Sequence, residues 1–124
     1  MKATGRRTSA QLSGGAAEDA AARFLERRGL DVVARNYRTR MGEIDLVARD
    51  GATLVFVEVR KRARSAQRFG GAAASVDARK RMRIEAAARH FLARLAQEPP
   101  CRFDVVTLDG DTSIEWHRAA FETA

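Results

Sequence analysis

Residues 42–62 read GEIDLVARDGATLVFVEVRKR, and the order of apolar and charged residues in this stretch decides the fold. Two apolar runs, 43–49 and 53–60, flank an Asp50-Gly51 turn signal, which predicts two antiparallel strands joined by a tight hairpin. Side chains alternate faces along a strand, so Glu58 and Arg60 share a face. With an even-numbered loop, odd positions of the first strand pair with even positions of the second. Asp45 then joins Glu58 and Arg60, beside Val47, Leu54 and Phe56. The other face is uniformly apolar: Ile44, Leu46, Ala48, Val55, Val57 and Val59. Two carboxylates and a cation on one half-buried patch are costly unless paired or put to use.

Upstream of the hairpin, residues 1–14 carry Lys, Arg, Ser and Gly without periodicity and are expected to form a flexible basic tail. A helical stripe of Ala17, Ala21, Phe24, Leu25 and Arg28 starts after Gly15, and Gly29 is placed to stop it. Glu18 borders this stripe, where it serves either the helix dipole or a site. Residues 30–37 read as a first strand, with Arg35, Arg38 and Arg40 around its end. Downstream, 61–71 is a basic, glycine-ended loop long enough to be functional, whose Phe69 either anchors it or stacks on a base.

The longest helix is expected over 76–95, with Ile84, Ala88, Phe91, Leu92 and Leu95 on one face. Arg79, Lys80, Arg81 and Arg83 crowd its start, against the helix dipole, which leaves a solvated basic face or a phosphate ligand as the reason. Strands follow at 102–108 and 112–118, separated by Asp109-Gly110-Asp111. The expected organisation is a single domain over 15–118 with a C-terminal tail at 119–124. Its order, α-β-β-β-α-β-β, is an α/β arrangement with a mixed central sheet flanked by helices.

Composition narrows the function. The chain of 124 residues is 45% hydrophobic and 31% charged, which suits one globular core. It has no apolar run long enough to span a bilayer and no apolar segment behind Lys2, Arg6 and Arg7 to make a secretory signal. The single cysteine, Cys101, fits a reducing cytoplasmic setting, and no zinc site is expected from it with His90 and His117. A net charge of +7 favours polyanions, although Lys2, Lys61 and Lys80 are the only lysines and an arginine-rich composition accounts for the excess equally well.

Asp45 and Glu58 on neighbouring strands are the kind of hard-oxygen pair that Mg²⁺ takes, with the Val59 carbonyl as a third donor. A cation there lowers the pKa of bound water and offsets charge on a phosphodiester, with Arg60 neutralising or positioning. The alternative is an internal salt bridge between Arg60 and one carboxylate.

GEIDLVA, with Glu58 in FVEVRKR thirteen positions after Asp45, resembles the PD-(D/E)XK nuclease core. More narrowly, the chain resembles the small bacterial YraN family of predicted endonucleases, similar to archaeal Holliday-junction resolvases. The likeness runs from Gly15 to about Leu108. It includes the Glu18 helix, Asn36-Tyr37-Arg38, Gly42-Glu43-Ile44-Asp45, Glu58-Val59-Arg60, Arg68-Phe69-Gly70, Lys80 and Arg102-Phe103-Asp104.

The resemblance implies a restriction-endonuclease-like fold with Asp45 and Glu58 as ligands for Mg²⁺ (or Mn²⁺). It implies Glu18 as an auxiliary acid and position 60 as the catalytic cation. Arg60 stands where that pattern has lysine; it stays charged and serves only electrostatically, and Lys80 is the substitute if its helix reaches the site. The expected partner is nucleic acid, DNA foremost and branched DNA among its forms, held by Arg35, Arg38, Arg62, Arg64, Arg68, Lys80 and Arg83. A homodimer is expected from the resolvase-like relatives, and no membrane partner. The alternative is a non-catalytic nucleic-acid-binding protein that keeps the nuclease fold.

Overall fold

A computed structural model of the chain describes residues 9–62, 76–109 and 113–122. Two helices and five strands are laid out there as α1 (Ser9–Arg27), β1 (Asp31–Arg38), β2 (Glu43–Asp50), β3 (Thr53–Arg62), α2 (Ala78–Leu92), β4 (Cys101–Asp109) and β5 (Ser113–Phe121). Arg64, Arg68, Phe69 and the side chain of Arg62 lie outside the described residues, as do the tail positions 1–8 and 123–124.

The strands form one mixed sheet in the order β1-β2-β3-β4-β5. Neighbours pair antiparallel except β3 and β4, which run parallel in unbroken register from Leu54↔Cys101 to Arg62↔Asp109. Parallel neighbours need a crossover, and α2 lies within it, which lays that helix over one sheet face. β3 is therefore covered on both sides, which explains its near-continuous LVFV run.

The expected hairpin of β2 and β3 forms, and its loop, Gly51-Ala52, is even-numbered. Asp50 pairs with Thr53, and Gly51 takes φ +63°, the backbone that primed hairpin turns require. The alternation then sorts the core into two layers. Leu46, Ala48, Val55 and Val57 pack with Ala17, Ala21, Ala22 and Leu25 of α1. Val47, Leu54 and Phe56 pack with Ile84, Ala87 and Ala88 of α2. Ile44 departs from the expected face and joins the α2 layer, because β2 bends before Leu46.

Three element ends also differ. α1 begins at Ser9 instead of after Gly15, since Gly14 and Gly15 weaken a helix by about 1 kcal/mol each without removing a backbone hydrogen bond. Its C-terminus stops at Gly29, φ +94°, with Leu30 N–H donating to Leu25 O at 3.1 Å and Gly29 N–H to Glu26 O at 3.0 Å. β5 continues to Phe121 where a tail was expected from residue 119, because Ala119 (φ +49°) absorbs an irregularity and lets Phe121 stack on Phe103 at 5.1 Å. α2 starts at Ala78 behind the N-cap Asp77, whose carboxylate accepts from Lys80 N–H at 2.9 Å. That acid is part of what offsets the cations at the helix start.

Candidate active site

The site lies where β2 and β3 part. Their ladder runs from Asp50↔Thr53 back to Leu46↔Val57, and one more step would put Asp45 opposite Glu58. The backbone pairing ends there. Val59 N–H donates instead to Asp45 Oδ2, at 2.8 Å, so a side chain takes the place of the next ladder acceptor. β2 meanwhile stays with β1 through Tyr37↔Ile44 and Arg38↔Glu43, and the 39–42 turn is tied by Thr39 N–H and Oγ1–H donating to Gly42 O at 2.8 and 2.9 Å. Strand β2 is thus held by β1 while leaving β3, and the two carboxylates face each other in the opening.

Glu58 is only 4% exposed. Arg60 Nη1 lies 3.4 Å and Lys80 Nζ 3.5 Å from its Oε2. α2 therefore does reach the site, and it delivers Lys80 to the carboxylate. Neither cation fully offsets what burial costs. Burial first, and the Asp45 charge second, push the Glu58 carboxyl up to about 7. Asp45 also titrates above its ordinary range because it is buried, with the Val59 N–H, the Glu58 hydrogen bond and the Lys80 charge pulling the other way. The two carboxyl groups share a hydrogen bond, and their burial together with the Asp45 charge on Glu58 favours keeping a proton on the pair.

Glu18 approaches from α1. Burial raises its pKa, the Asp45 charge adds to that, and a hydrogen bond with Asn36 opposes it. Asn36 holds φ +51° in β1, a conformation that asparagine tolerates better than most residues. Sequence reading gave Asn36 no role, and a strand residue with positive φ has no signal in the apolar pattern. The structure thus brings together Glu18, Asp45, Glu58, Arg60 and Lys80. The other expected cations are elsewhere: Arg35 is paired with Asp19, Arg38 lies 3.6 Å from Glu43, and Arg83 is exposed on α2.

The donor set suits a hard divalent cation, which takes one or two carboxylates and completes its shell with water and substrate oxygens. Glu58 is buried and Asp45 half-buried, and burial disfavours the charge on both, so Mg²⁺ or Mn²⁺ would stabilise the ionised pair beyond what Arg60 and Lys80 do. Among the described residues no three His, Cys, Asp or Glu side chains converge to hold a metal by themselves, which leaves Glu18 flanking the pair.

A second buried carboxylate belongs to the scaffold. Asp104, 0% exposed, accepts from Arg102 Nε at 3.0 and 3.1 Å, Trp116 Nε1 at 2.8 Å and Ala119 N–H at 2.9 Å. Arg102 also pairs with Asp50 of the hairpin turn at 2.9 Å. With three donors on it, one of them shared between its two oxygens, Asp104 is fully used in joining β4 to β5.

Comparison with known proteins gives a consistent assignment. The family model described as "Uncharacterised protein family UPF0102" matches residues 17–108. A UPF0102 protein of Ralstonia nicotianae is 64% identical over 115 residues, covering 90% of this chain and 88% of its own length. One from Cupriavidus necator is 54% identical over 124 residues, 98% of this chain and 92% of its own. One from Nitrosomonas eutropha is 47% identical over 115 residues, with 93% and 97% covered.

Proposed function

Because the chain belongs to the uncharacterised protein family UPF0102, the YraN family, its chemistry has to be read from its site, and we propose that this site performs metal-dependent phosphodiester hydrolysis on nucleic acid. The observation that carries the reading is the opening between β2 and β3. There Asp45, fixed by the Val59 N–H, faces a buried Glu58 to which α2 brings Lys80.

Asp45, Glu58 and the Val59 carbonyl are the groups that would hold Mg²⁺ or Mn²⁺, which when bound supplies an acidified water and neutralises phosphate charge. Lys80 and Arg60 are one-third to two-fifths exposed at 33% and 37%, so both reach from Glu58 toward solvent where a phosphate would sit. Arg60 acts by charge and position alone, because its guanidinium does not deprotonate. Lys80 supplies the ammonium that the strand itself lacks at position 60. Glu18, whose carboxyl is pushed above its ordinary range by burial and the Asp45 charge, can exchange a proton beside Asp45. DNA is the proposed polymer, with branched DNA among its forms, and a homodimer would place two such sites on two strands.

The test is a cleavage assay on DNA with Mg²⁺ or Mn²⁺, comparing wild type with Asp45→Asn and Glu58→Gln. Wild type cleaves, and each variant loses on the order of 100-fold or more in rate, as removal of a key electrostatic group typically does. Equal cleavage by all three would mean a contaminating nuclease and end the proposal. A second reading, nucleic-acid binding without cleavage, has one observation in its favour: Glu58 already has Arg60 and Lys80 as partners within the fold. It requires salt-sensitive binding, no metal-dependent hydrolysis, and no thermal stabilisation by Mg²⁺.

A further inference from the structure

At the 39–42 turn, just ahead of Asp45 in the chain, an open groove of about 880 Å³ is lined by Arg38, Thr39, Arg40, Met41, Ala86 and His90. Its walls are built to keep their shape. Thr39 Oγ1 accepts from the N–H groups of Met41 and Gly42, both at 3.1 Å, and donates to Gly42 O. Gly42 is buried against the α2 backbone so closely that a Cβ there would come within 2.0 Å of Arg83 O. On the other wall, Tyr37 packs edge-on against Phe91 at 5.1 Å and hydrogen-bonds His90 Nδ1 at 2.5 Å. That hydrogen bond holds the imidazole in place through Nδ1 and leaves Nε2 as the ring nitrogen not engaged by Tyr37.

The chemistry of the lining is that of an extended polyanion with flat faces. Arg38 and Arg40 are exposed guanidiniums, His90 is an exposed ring, and Met41 presents a polarizable thioether with 69% of its surface in solvent. Among the lining residues there is no carboxylate. Positive charge next to surfaces on which a base can stack is how single strands are bound without sequence preference. The groove has the volume of a site for a small ligand.

We propose that this groove seats an unpaired nucleotide strand and leads it to the Asp45–Glu58 opening, so that the protein works at the boundary between single- and double-stranded nucleic acid. The inference rests on the nucleic-acid reading of the site and adds the form of the substrate. Arg38 exchanges part of its Glu43 contact, 3.6 Å long, for a phosphate. Arg40 takes the next phosphate, and His90 Nε2 with Met41 meets the base.

Fluorescence anisotropy in chelator, where no cleavage occurs, measures this seat separately from catalysis. The ligands are a single-stranded oligonucleotide, a blunt duplex, and the same duplex with a single-stranded overhang. The proteins are wild type, Arg38→Ala/Arg40→Ala, His90→Ala, and Arg49→Ala as a control at the far end of β2. Wild type and Arg49→Ala bind the single strand equally, and the overhang tightens duplex binding.

The Arg38/Arg40 double variant loses about tenfold or more on the single strand, loses the overhang's advantage, and shows a log–log salt slope smaller by roughly 0.7 per lost contact. His90→Ala binds severalfold more weakly with an unchanged slope. DNA and RNA strands of one sequence are run side by side; either one showing these losses upholds the seat, and their ratio names the sugar. An unchanged slope in the double variant, an equal loss with Arg49→Ala, or an equal loss on the blunt duplex overturns the inference. Failure here with intact Asp45-dependent cleavage would leave the hydrolase standing. Binding as described with no cleavage by any protein would remove the hydrolase and keep the groove.

Discussion

At the scale of single residues, the Glu58 carboxyl makes the clearest prediction. In the folded chain it is pushed up to about 7 from an ordinary 4.5, so between those values the folded state keeps a proton that the unfolded state has released. Its contribution to stability is therefore greatest below the ordinary pKa and falls as pH rises toward 7. Thermal melts in chelator should show wild type losing stability between pH 5 and pH 8 relative to Glu58→Gln, which never ionises. Mg²⁺ at pH 8 should restore wild type and leave the variant unmoved; a wild type that gains on the variant across that range would contradict the buried repulsion. Asp104→Ala leaves Arg102 with Asp50 alone, strips Trp116 Nε1–H and Ala119 N–H of their acceptor, and should cost about 3–5 kcal/mol in urea unfolding, with no special dependence on metal. Asp45 and Glu58 could be found from sequence because charges at those positions break an apolar alternation. Asp104 breaks the RFDVVTL run in the same way, and only its three donors, two of them from a strand twelve and fifteen residues on, reveal a structural acid.

At the scale of elements, what the sequence could not convey is how the helices are aimed. The apolar stripe of α2 says which face is buried, but the position of Lys80 over Glu58 follows from docking Val76, Ile84 and Ala88 against the sheet. The bend that turns Ile44 to the α2 side is likewise invisible, because alternation assumes that the ladder continues. The contact that sets both is Gly42 on the Arg83 backbone. Gly42→Ala forces the 39–42 turn off α2, and should cost about 1–3 kcal/mol as an overpacking change. It should also lower cleavage more than it lowers stability, since both Lys80 and Asp45 sit next to the displaced pieces. Asp77→Ala separates the two effects: losing the N-cap should cost about 1 kcal/mol while leaving that contact in place. Paired urea titrations and cleavage rates on both variants check this, and proportional losses in the two would argue against a positioning role for the turn.

At the scale of the whole molecule, the order of elements was legible because helix and strand periods differ and the turn signals fall between them. The parallel seam between β3 and β4 was not, since no local pattern records which strands meet across an intervening helix. That seam has a consequence for how the chain comes into being. Glu18, Asp45, Glu58, Arg60 and Lys80 all precede β4, so a growing chain owns its complete set of reactive groups before the centre of its sheet can close. Until residues 101–109 arrive, β3 offers its unpaired backbone and its LVFV run to any neighbour, a template for self-association. A fragment ending at residue 98 should therefore leave a size-exclusion column as aggregate while the intact chain does not, and a discrete folded fragment would refute this. The segment after residue 98 thus carries none of the proposed chemistry and decides whether what precedes it remains in solution long enough to perform it.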